Sequence, residues 1–169
     1  MIRPAGFPHL VRRFFVTLLA RVDPVSLGAL DRLLTPGERR LFLTMKESDQ
    51  RHSLDLCGRL RRDGHDEPDL LRAALLHDVG KASGTLPIMY RVTYSLAAMV
   101  DPRLAQWLGR PGATIWRQPF CLAAHHPEIG AIAAARAGSN PRVVGLIANH
   151  NKPGTDPLSR LLYAYDRQM

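Results

Sequence analysis

Leu71-Arg72-Ala73-Ala74-Leu75-Leu76-His77-Asp78-Val79-Gly80-Lys81 is an apolar run that ends in an imidazole, a carboxylate and an amine. Leu71, Leu75 and Leu76 recur at helical spacing, which marks a helix with a buried face. Asp69 is placed to cap its start, and the pattern carries the helix to Val79 before Gly80. The same period continues in both directions. Upstream, a helix is expected from about Asp49 to Asp63, stopping at Gly64. Before it, Thr35-Pro36-Gly37-Glu38 reads as a capping box that starts a helix toward Met45. Leu10, Phe14, Leu18 and Val22 form a four-residue stripe, read as the buried face of a further helix. Downstream, helices are expected over 87–100, 115–124, 127–137, 142–150 and 157–168. Breaks fall at Asp101-Pro102, Pro111-Gly112, Gly138-Ser139-Asn140-Pro141 and Pro153-Gly154. No stretch alternates as a strand does, and no break is long enough for an interdomain linker. The pattern predicts an all-α, compact single-domain helical bundle.

Composition narrows the class. The 169 residues, 46% of them hydrophobic, suit one globular domain and exclude wholesale disorder. The two cysteines, Cys57 and Cys121, form no cluster, which disfavours a disulfide scaffold or a cysteine zinc site and makes a reducing cytoplasm the expected compartment. The run from Phe14 to Ala20 is too short to span a bilayer, and no membrane partner is expected. The net charge of +8 is carried by the two ends of the chain: residues 46–100 balance eight basic against eight acidic side chains. Such a charge favours anionic partners, nucleotides among them. Nucleic acid is the less favoured of these, because the arginines are scattered and no helix-turn-helix signature is present.

The chemistry lies in where His and Asp fall on the apolar stripes. His52 is in line with Leu56 and Leu60. His77 and Asp78 fall at the end of the apolar helix Leu71 to Val79. His150 follows Val143 and Ile147 on one face, and Asp166 follows Leu158 and Leu162. A buried carboxylate without a partner costs several kcal/mol, so Asp166 needs a cation or a donor. Inward-facing His and Asp on separate helices most economically share a metal ion. His126 precedes Pro127, which is expected to push it out of helical geometry to the mouth of the next helix. Neighbouring His125 is read as a supporting or surface residue, and His9 and His65 as solvent-exposed.

At these residues the sequence resembles the HD superfamily of metal-dependent phosphohydrolases. The likeness begins at Gln50-Arg51-His52-Ser53-Leu54 and is most specific at Ala73 to Lys81, an apolar helix ending in H-D-x-G-K. Later stretches are similar to the HD-GYP branch: His126-Pro127-Glu128-Ile129-Gly130-Ala131, Leu146-Ile147-Ala148-Asn149-His150, and Leu161-Leu162-Tyr163-Ala164-Tyr165-Asp166. That branch's Gly-Tyr-Pro signature is missing, and Asn151 and Lys152 stand where it has a second His and a Glu. The resemblance implies an HD-type helical domain over 48–169; residues 1–47, which carry no family motif, are expected to form a helical extension packed on the core. The resemblance also implies one or two divalent transition-metal ions (Mn, Fe, Ni, Co or Zn). His52, His77, Asp78 and Asp166 would hold the first ion; Asp78 would bridge to a second, completed by His126 and His150.

The expected activity is metal-dependent hydrolysis of a nucleotide or another small phosphoester, as phosphomonoesterase or phosphodiesterase. Asp78 and Lys81 are the expected catalytic residues, with Lys81, Arg51 and Arg91 as candidates to hold the substrate's phosphate. The alternative is a regulatory HD domain that binds a nucleotide-like ligand with little turnover. A di-iron oxygenase has no residue here that selects it.

Overall fold

A computed structural model describes Gly28, residues 30–112 and residues 114–169, without the side chain of Ile88. The Leu10–Val22 stripe, His9 and most of the 1–47 extension lie outside the described residues. Those residues hold eight α-helices and no strand, so the fold is all-α. The helices are α1 (Pro36–Phe42), α2 (Glu47–Arg62), α3 (Pro68–Leu76), α4 (Ile88–Val100), α5 (Pro102–Leu108), α6 (Gln118–Arg136), α7 (Pro141–Asn149) and α8 (Pro157–Asp166); tight 3₁₀ turns span Val79–Ser83 and Ile115–Arg117. None of them is long and apolar enough to cross a membrane.

Local chemistry sets the helix ends. The expected capping box forms at α1: Thr35 Oγ1 accepts from the Glu38 N–H, and Glu38 accepts from the Thr35 N–H at 2.9 Å. Gly64, with φ +85°, closes α2 in the left-handed region that a side chain would disfavour. Asn140 and Asp156 cap α7 and α8 through their side chains. Asp69 does not cap α3, which starts one residue earlier behind Glu67; its carboxylate instead accepts from Asn140 at 2.8 Å.

Helix α3 is the axis of the bundle. Ala73, Ala74, Leu75 and Leu76 are all buried, so no side of its last turn faces water. Around it pack Leu56 and Leu60 of α2, Ala131 and Ala134 of α6, Val143, Leu146 and Ile147 of α7, and Leu162 of α8. Leu30, Leu34, Phe42 and Met45 join the same core from the described part of the extension. A small second cluster, Ala97, Ala105, Leu108 and Phe120, holds α4 and α5 against the start of α6.

Glu38 ties three segments together from a fully buried position. Beyond its cap it accepts from Arg72 of α3 and from Ser139, just past α6, both at 2.7 Å. Burial pushes its carboxyl up, but Arg72, Ser139 and the Thr35 N–H outweigh burial and hold it below its usual value.

Two expectations about helix extent are corrected. Helix α3 stops at Leu76 rather than Val79, and the chain tightens into the 3₁₀ turn through Gly80. There is no break before Pro127, which lies buried inside the continuous helix α6. His126 is therefore an interior helical residue, not a residue at a helix mouth.

Candidate metal centre

The candidate His and Asp residues converge, and all but His52 are delivered by a helix end or a helix irregularity. His52 comes from α2. His77 ends α3, Asp78 leads into the 3₁₀ turn, His150 ends α7, and Asp166 is the last residue of α8. His126 arrives from the middle of α6. What brings it there is the contact at Gly80, where a Cβ would lie 1.9 Å from the His126 carbonyl oxygen and 2.7 Å from the Gly130 nitrogen. Only a glycine lets the turn bearing Asp78 and Lys81 lie directly on the α6 backbone.

Asp78 is the buried centre. Its Oδ2 faces His77 Nε2 at 3.4 Å and Lys81 Nζ at 2.5 Å; its Oδ1 faces His126 Nε2 at 3.4 Å and His150 Nε2 at 3.9 Å. On the other side of His77, Asp166 Oδ1 lies 3.6 Å from His77 Nε2 and 2.9 Å from His52 Nε2. Two sets of ligand atoms are close enough to hold an ion: His52, His77 and Asp166, and His77, Asp78 and His150. His77 belongs to both.

The tautomers follow from the backbone. Nδ1 of His77 bonds the Ala74 carbonyl at 2.9 Å, that of His126 the Ala123 carbonyl at 2.8 Å, and that of His150 the Ile147 carbonyl at 2.8 Å. A carbonyl only accepts, so each Nδ1 carries the hydrogen and each neutral ring turns a bare Nε2 lone pair inward. At His126 the acceptor has a specific origin: Pro127 has no N–H to offer the carbonyl four residues back, and the neighbouring imidazole takes it. His77 Nε2, fully enclosed, has no hydrogen-bond partner. Bare nitrogens and carboxylate oxygens around a shared centre form a donor set suited to a first-row dication. The residues present fit such an ion.

Without an ion, the cluster balances its charge with protons. Burial pushes His77 down, but Asp78 and Asp166 beside it prevail and raise it to about 9. His150 is lowered to about 3, by burial first and then by His77 and His126. Burial pushes both carboxylates up, yet His77 and Lys81 hold Asp78 well below its usual range, and His52 and His77 do the same for Asp166.

The candidate phosphate-binding residues sit as follows. Lys81 braces Asp78. Arg91 forms a two-pronged pair with Asp49 at 2.5 and 2.8 Å, joining α4 to the start of α2. Arg51 pairs with Asp55 one helical turn on, at 2.8 Å. Asn151 is exposed, in the turn after α7. His125 bonds the Gly109 carbonyl at 3.2 Å, and His65 packs its ring edge against Tyr165. Asp49 was not foreseen: a carboxylate in the first turn of a helix ordinarily serves the helix dipole, and only its burial reveals the pair with Arg91.

Comparison with protein-family models, with curated proteins and with solved structures gives no match for this chain.

Proposed function

We propose that this chain is a metal-dependent phosphohydrolase of the HD type, acting as phosphomonoesterase or phosphodiesterase on a nucleotide or another small phosphoester. One observation carries the reading: the Nε2 atoms of His77, His126 and His150, each turned inward by an Nδ1–carbonyl bond, surround the buried carboxylate of Asp78. The resemblance of His77-Asp78-Val79-Gly80-Lys81 to the HD motif supports it. Asp78, Asp166 and the imidazoles would hold one or two divalent transition-metal ions. Such an ion supplies a Lewis acid that brings the pKa of water toward neutrality.

The protein's own groups do the rest. Asp78 and Asp166 offset the cationic charge, and the burial of Asp78 with His77 and His150 strengthens the charge interactions around it. Lys81 places its ammonium beside Asp78, within reach of a phosphate oxygen. Arg91 fixes α4 to the start of α2, the helix that carries His52, through Asp49. Arg51 remains a candidate second phosphate contact at the start of the same helix as His52.

The test is metal analysis of the purified chain, then a panel of phosphomonoesters and phosphodiesters with added Mn. Turnover that needs the ion and disappears in Asp78→Asn, with helical circular dichroism unchanged, is expected. Absence of any metal uptake, or equal turnover by Asp78→Asn, would overturn the reading.

A further inference from the structure

Exposed apolar side chains are concentrated on one part of the molecule. Of the ten large hydrophobic residues exposed among the described residues, eight fall between Met89 and Trp116, on α4, α5 and the turn Ile115–Arg117. Val100 is 82% exposed and Ile115 84%. The chain's only two tryptophans, Trp107 and Trp116, are both here, half-exposed, with ring centres 6.2 Å apart. Arg117 lies over both, 4.7 Å from the Trp107 ring centre and 5.8 Å from that of Trp116.

The charge of this region has one sign. Between Asp78 and Glu128 the sequence has a single acid, Asp101, against Lys81, Arg91, Arg103, Arg110 and Arg117. Asp101 is occupied at the α5 cap, accepting from the Arg103 N–H at 2.8 Å. Arg103 and Arg110 are exposed, and neither has an acidic partner among the described residues. Exposed apolar side chains gathered on neighbouring elements, rather than scattered singly, mark an interaction surface. Here it combines aliphatic tips, amphipathic indole rings and unneutralised guanidinium groups, the combination that seats a protein at an anionic headgroup layer. A single-stranded nucleic acid would use the tryptophans and arginines but would leave Met99, Val100, Leu104 and Ile115 in water.

We propose that α4, α5 and the turn Ile115–Arg117 form a docking surface for an anionic lipid bilayer, entered from one side and not crossed. The expectation of no membrane partner rested on the absence of a spanning run, a condition that such surface binding does not require. The surface stands independently of the metal centre.

The two tryptophans make it directly measurable in the full-length chain. Vesicles of phosphatidylcholine alone are compared with vesicles containing phosphatidylglycerol, by co-sedimentation and tryptophan emission. Binding to the anionic vesicles only, with a blue shift that weakens at high salt, is expected. Val100→Asp/Ile115→Asp alters two exposed positions and leaves both cores intact, so it should fold and lose about tenfold or more in partitioning. Equal partitioning by that variant, or no binding to anionic vesicles, would overturn the proposal. So would a blue-shifted emission without lipid, whether it tracks dimer formation in size-exclusion chromatography (a second copy on the patch) or does not (coverage by the chain's own residues). Quenching by an oligonucleotide in place of vesicle binding would assign the surface to nucleic acid instead.

Discussion

His126 Nε2 and His150 Nε2 face each other at 3.2 Å, and each ring has already given its Nδ1 hydrogen to a carbonyl. Both Nε2 atoms also face the Asp78 carboxylate, at 3.4 and 3.9 Å, so two nitrogens and an oxygen converge where one cation could be shared. Adding Mn to ion-free protein should therefore stabilise it, by about 2.7 kcal/mol at a hundredfold excess over Kd, which raises Tm by roughly 5–10 °C. His150→Ala should abolish most of that shift in differential scanning fluorimetry.

The ion competes with a proton on His77. Its folded pKa of about 9 lies above the ordinary 6.5, so in ion-free protein that proton stabilises the fold fully below pH 6.5. The contribution is lost as pH rises through about 9. Metal uptake at pH 7 should release at least one proton, and apparent affinity should climb about tenfold per pH unit toward pH 9. Calorimetric titration in buffers of different ionisation enthalpy reads the proton directly.

Gly80→Ala inserts a methyl group into a backbone contact that has no flexible side chain to yield. The expected cost is about 3 kcal/mol in urea unfolding, at the upper end of overpacking effects. Metal affinity should fall with it, because the same shift pulls Asp78 away from His126.

Glu38→Gln removes a buried charge while leaving Arg72 in place, and should cost about 3 kcal/mol. The folded carboxyl lies below its ordinary 4.5, so its stabilisation is present above that value and fades as pH falls through the lower folded one. Wild-type stability should thus decline more steeply than the variant's on acidification below pH 4.5. Denaturant midpoints measured across that range decide it.

Much of this was legible in the one-dimensional pattern. The stripes through His52, His150 and Asp166 carried direction as well as helical type, because a polar residue in register with leucines must point where they point. Helix ends were less legible. The α3 boundary depends on His77 bonding the Ala74 carbonyl, a side-chain choice invisible to periodicity. Pro127 misled for a related reason: proline ordinarily breaks a helix through its lost bond and its ring clash, and α6 accommodates both. Arg91 and Arg51 read only as candidate phosphate contacts because their partners, Asp49 and Asp55, carry no signal that separates them from other acids on a helix.

Pro127 places helix quality and ring orientation in competition for one oxygen atom. Pro127→Ala restores a backbone N–H that can claim the Ala123 carbonyl, so the substitution that improves α6 as a helix frees the His126 imidazole to turn or to change tautomer. A gain in unfolding free energy of the ion-free protein together with weaker metal binding is the expected signature. A residue usually read as a defect in a helix would then act here as the setting that keeps a side chain aimed, at a permanent cost to the scaffold that carries it.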